Sequence, residues 1–61
     1  MRSVAIGRWV SKKRADVYDW LQKYYGRSSE NTWYIEYDYA YNRDNLILND
    51  EIYTMFALRW T

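Results

Sequence analysis

Residues 32–42 read Thr-Trp-Tyr-Ile-Glu-Tyr-Asp-Tyr-Ala-Tyr-Asn. Trp33, Ile35, Tyr37, Tyr39 and Tyr41 fall on one side at a period of two, and Tyr34, Glu36, Asp38 and Ala40 fall on the other. Strict alternation of strand formers, with the charges confined to one side, predicts a strand with one buried face. Residues 51–60 alternate as well: Ile52, Thr54, Phe56, Leu58 and Trp60 against Tyr53, Met55, Ala57 and Arg59. A second strand is expected there. A turn centred on Asp44-Asn45 would set Tyr37 opposite Ile52 and Ile35 opposite Thr54, which keeps both apolar sets on one face. Asn49-Asp50 offers a rival turn. On either reading Leu46-Ile47-Leu48 belongs to the connection, as a lid over the core or as an apolar finger.

Upstream, residues 3–10 have the composition of a strand, with Val4 and Ile6 on one face and Ala5, Gly7 and Trp9 on the other. Ser11 suits a helix N-cap, because its hydroxyl can accept from an orphan backbone N–H. The helix is expected from Lys12 to Tyr25, with Val17, Leu21 and Tyr24 at helical spacing and Trp20 and Tyr18 widening the stripe. Gly26 is placed to end it, and Arg27–Asn31 is a polar connector. The fold class that follows is α+β: one small domain over residues 1–61, ordered β-α-β-β. The expected sheet is three-stranded and antiparallel in order 1-3-2, with one helix packed on one face. Val17, Leu21, Ile35, Tyr37, Ile52, Phe56 and Leu58 form the expected core.

The 61 residues contain no Cys and no His, which removes disulfides, the usual zinc ligands and most nucleophile–base chemistry. Four Trp, eight Tyr and one Phe take the place of such staples, since one large ring can withdraw roughly 150–250 Å² from water. Net charge is +1 but uneven: residues 1–31 hold seven Lys/Arg and three Asp/Glu, and residues 32–61 hold two and five. No segment reads as a membrane span or a signal peptide, so the expected location is the cytoplasm. With only Gly7 and Gly26 there is no glycine-rich phosphate loop, and no cofactor or metal is expected. Glu36 and Asp38 share a strand face, but a cross-strand ion pair with Arg59 accounts for them better than a catalytic carboxylate pair.

Two constellations point to binding. Arg8, Lys12, Lys13 and Arg14 crowd the start of the first helix, where the macrodipole favours negative charge. Cations against that rule mark a site for an anion or an acidic surface. The second is the sheet face that a single helix leaves bare, expected to present Trp9, Tyr34, Tyr53, Met55 and Arg59. These are residue types enriched at protein interfaces. Self-association through that face, giving a homo-oligomer, is an expectation of the same argument. The functional expectation is therefore a non-catalytic module that binds another protein, as an inhibitor or modulator. Size and composition are analogous to the small inhibitors that phages and mobile elements direct at host or defence proteins. The alternative is a nucleic-acid-binding domain that sets the basic helix start against phosphates and the aromatic face against bases.

Overall fold

A computed structural model describes residues 1–60. The elements are β1 (Arg2–Ala5), α1 (Ser11–Tyr25), β2 (Trp33–Asp38), β3 (Arg43–Leu48) and α2 (Asp50–Trp60). The sheet is antiparallel in the order β1-β3-β2, so the last strand of the chain lies in the middle as expected. The strand that occupies the middle is a different one. Residues 43–48, expected as a connection, form β3, and residues 51–60, expected as a strand, lie in a second helix, Asp50–Trp60.

Both differences have local causes. Asn49 caps α2, its side-chain oxygen accepting the Ile52 N–H at 2.8 Å. Asp50 and Glu51 occupy the first turn and Arg59 the last, the charge order the macrodipole favours. Met55, Ala57 and Leu58 are good helix formers, and the β-branched residues are confined to Ile52 and Thr54. Ile52 and Phe56 satisfy a period of two and a period of 3.6 equally well, so alternation could not separate the two. For β3 the signal is the continuous run Leu46-Ile47-Leu48, all three buried. Leu46 and Leu48 face the helices, and Ile47, on the opposite face, is buried beside its cross-strand partners Ser3 and Tyr34, so the segment reads as a run rather than an alternation.

The register follows from the shorter hairpin. Tyr37 pairs with Asp44 and Ile35 with Leu46, in place of the expected Ile52 and Thr54. The turn is centred on Ala40-Tyr41, four residues earlier than expected. Asp38 ends β2 and its carboxylate accepts from the N–H groups of Ala40 and Tyr41 at 3.0 and 3.3 Å. Asn42 then takes the left-handed conformation, φ 52°, that brings the chain back.

α1 spans the expected residues, but Val10 occupies the N-cap and Ser11 is the first helical residue, without a side-chain cap. Gly26 ends the helix at φ 76°, ψ −158°, a region open essentially to glycine alone. Its carbonyl accepts from the Trp33 indole N–H at 3.1 Å, tying the end of α1 to the start of β2.

Both helices pack on the sheet face that carries Leu46, Leu48 and Trp33. With Ile6, Val17, Trp20, Leu21, Ile52 and Phe56 these side chains make the core. Val17, Leu21, Ile52 and Phe56 were expected there. Ile35, Tyr37 and Leu58 are not in it, being 39%, 41% and 76% exposed. Ile35 and Tyr37 point to the helix side but stand on an edge strand, and Leu58 points outward from α2. Phe56 stacks between Trp9 at 5.9 Å and Trp60 at 5.6 Å. Phe56→Ala is therefore expected to cost about 3–5 kcal/mol, and Leu58→Ala less than about 0.5 kcal/mol. Urea unfolding of the two variants checks the pair, and equal losses would place Leu58 in the core and α2 in the wrong rotation.

Candidate functional site

The two expected binding constellations are partly dispersed. Of the proposed face, Tyr34 alone stands on the bare side of the sheet, half-buried, in register with Ile47 and Ser3. Trp9 is half-buried against Phe56 on the helix side. Tyr53, Met55 and Arg59 ride on α2, with Met55 exposed and Arg59 stacked over Trp60 at 5.1 Å. The expected ion pair of Arg59 with Glu36 and Asp38 does not form, because α2 lies across the sheet from those carboxylates. The bare face carries Ser3, Ala5, Tyr34, Glu36, Ile47 and Asn45, with Asp38 opposite Arg43 at its end.

The basic cluster also divides. Lys13 places its ammonium 4.5 Å from the Trp9 ring centre, and Lys12 is exposed. Arg14 reaches across to β3 and donates from Nη2 to Asp44 at 3.0 Å. That hydrogen bond is the main cause of a guanidinium pKa raised above the ordinary arginine value, against a smaller opposing effect of burial. The Arg14 Nε is buried and has no hydrogen-bond partner.

What assembles instead is a cleft of about 650 Å³ at the hairpin end of the sheet, lined by Arg8, Arg14, Tyr37, Tyr41, Asn42, Arg43 and Asp44 over the backbone at Ala5 and Gly7. Three segments build it: the loop after β1, the first turn of α1, and the β2–β3 hairpin. The loop is pinned by the Ile6 N–H, which donates to the Asp44 carbonyl at 3.1 Å. Gly7 lies against Arg43, where an added Cβ would meet the Arg43 Cβ at 3.4 Å. Arg43 stacks over the Tyr41 ring at 4.9 Å, and the Tyr37 hydroxyl donates to Asn42 Oδ1. Tyr37 and Tyr41 of its lining are exposed; Tyr39, also exposed, meets Tyr37 edge to face at 4.8 Å, and Ile35 is exposed two positions before Tyr37 on β2.

Sequence reasoning found Arg8 and Arg14 and missed Arg43, Tyr37, Tyr41 and Asn42 as site residues. The available signal was the density of Tyr between 34 and 41, which the expectation of a long strand assigned to the core. A second groove between the helices is lined by Asp16, Asp19, Trp20, Lys23, Tyr24, Arg59 and Trp60. Its rings are already covered by their own cations, Lys23 over Tyr24 and Arg59 over Trp60. Among the described residues no group of three or more acidic side chains is placed to hold a metal ion, and no helix is long and apolar enough to cross a membrane. Comparison of the chain with protein families, curated proteins and solved structures finds no match.

Two outcomes are expected of the charges. Arg14, with its pKa raised by Asp44, contributes fully at every pH below its ordinary value and loses that contribution only as pH rises through the raised one. Asp44→Asn is therefore expected to cost about 1 kcal/mol or less at neutral pH, the pair being part-exposed, and less still in 1 M salt. Denaturant midpoints at two salt concentrations decide it. Lys12→Glu is expected to raise stability by about 0.5 kcal/mol, because the first turn of α1 holds no acid. Lys13→Glu should not, since it also removes the contact with Trp9. A shared gain in thermal midpoint would show that the Trp9 contact contributes nothing.

Proposed function

We propose that the chain is a non-catalytic protein-binding module that inhibits or modulates a larger protein by occupying its surface. The observation that carries this reading is the row Ile35, Tyr37, Tyr39 and Tyr41 along β2 and its turn, with Arg8 and Arg43 beside it. Tyr39 and Tyr41 are 88% and 71% exposed. Neither helix reaches them, and neither ring is required by the core. Tyr and Arg dominate the few interface residues that carry most of the binding free energy, and Tyr offers large contact area for little lost side-chain freedom.

One observation favours the nucleic-acid alternative: neither Glu36 nor Asp38 is among the residues that line the cleft. Against it, the cations do not gather into a stripe. Lys12 and Lys13 do not line the cleft and Arg14 is held by Asp44, whereas affinity for a phosphate backbone grows with each phosphate neutralised.

Affinity capture with the tagged chain, with and without nuclease, separates the two. A protein retained after nuclease treatment and lost with Tyr39→Ala/Tyr41→Ala is the expected outcome. Those exposed substitutions should leave stability within about 0.5 kcal/mol, so lost capture reports binding. Retention that vanishes with nuclease favours the alternative, and capture indifferent to both tyrosines removes the proposed surface.

A further inference from the structure

We propose that the cleft between Arg8 and Arg43 is a receptor for neighbouring carboxylates on an acidic segment of the partner protein, an inference that rests on the protein-binding reading above. Arg14 is committed to Asp44. Arg8 and Arg43 are not: among the described residues neither has an ion-pair partner. Three guanidiniums line the cleft and Asp44 is the only carboxylate among its lining residues; Asp38, opposite Arg43 in the ladder, accepts instead from the N–H groups of Ala40 and Tyr41.

Both free arginines line this one cleft; Gly7 lies against Arg43, and Arg8 is the next residue. Arg43 is partly ordered in advance by its stack on Tyr41, which lowers the entropy lost on binding. Asn42 adds to the same polarity. Its oxygen is occupied by the Tyr37 hydroxyl, leaving the amide NH₂ to donate. The cleft thus offers donors and aromatic faces, and what fits is a group rich in anionic oxygen next to apolar side chains. Arginine takes a carboxylate through two parallel hydrogen bonds, so two free arginines match two carboxylates. A polynucleotide would find only two phosphate contacts here, few for useful affinity at physiological salt. About 650 Å³ accommodates a few side chains of a peptide, and the exposed Tyr37 and Tyr41 rings continue the contact on the apolar side.

The test is an NMR titration of the ¹⁵N-labelled full chain with acetylated, amidated pentaglutamate, and in a parallel arm with pentathymidylate at equal ionic strength. Pentaglutamate is expected to move the amides of Gly7, Arg8 and residues 41–43 and the Nε–Hε signals of Arg8 and Arg43. Arg8→Gln/Arg43→Gln is expected to weaken binding at least tenfold with signal dispersion kept. Should the double variant lose its fold, Arg8→Gln alone, at an exposed loop position, carries the test. Shifts that centre on Lys12, Lys13 or Lys23, or that persist in the variants, overturn the proposal. So does tighter binding of pentathymidylate, which would give the cleft to nucleic acid. Protein capture that depends on Tyr39 and Tyr41 but ignores Arg8→Gln/Arg43→Gln would sink the carboxylate site alone and leave the protein-binding reading standing.

Discussion

Phe56 stacks on Trp9 and Trp60, and Trp60 meets Trp20 edge to face at 5.0 Å. This run of rings joins the loop after β1, α2 and α1, and neither helix has strand pairing to hold it. A chain of 61 residues has room for only a small core, and without cysteine no disulfide supplements it; the rings add to the apolar area buried. The position of α1, and with it Arg14 at the wall of the cleft, depends on that run. The tyrosines between 34 and 41 are free for other work because the tryptophans fill the interior.

The cations divide in the same way into those used internally and those left over. Arg14 goes to Asp44, Lys13 to Trp9, Arg2 to Tyr53 and Asp50, and Arg59 to Trp60. Most of these contacts are part-exposed and individually weak. Their effect is to fix where positive charge is absent. Among the described residues Arg8, Lys12 and Arg27 have no such contact and Arg43 has only the Tyr41 ring; of these, Arg8 and Arg43 share the cleft with the exposed rings of Tyr37 and Tyr41.

The class of fold and the central place of the last strand were legible because a strand–helix–strand–strand order has few compact antiparallel solutions. The identity of that strand was not. Ile52, Phe56 and Trp60 recur at intervals of four, which both periodicities accept, so the Asn49 cap and the acids after it were the deciding features. Leu46-Ile47-Leu48 gave no alternation because Ile47, on the uncovered face, is apolar and buried like its two neighbours. Arg8 and Arg14 were legible as a cationic cluster from their closeness in sequence. Arg43 was not, since its approach to them depends on β3 existing. Tyr37 and Tyr41 were assigned inward because alternation reports two faces without saying how far a helix extends over either.

The pairing of β1 with β3 also bears on when the molecule can form. Val4 and Leu46 are partners 42 positions apart, whereas the β2–β3 hairpin and both helices close over short distances. In free solution the local units can assemble first, and the four residues of β1 dock afterwards against a prepared edge, since loop closure grows costlier with length. During synthesis the order of appearance is reversed. β1 is made first and waits about 2–8 s for its partner at a translation rate of roughly 5–20 residues per second. For that interval its strand has nothing of its own to pair with. The sheet is complete only once β3 has been made, so the pairing of its first strand waits on a segment some forty positions further along the chain.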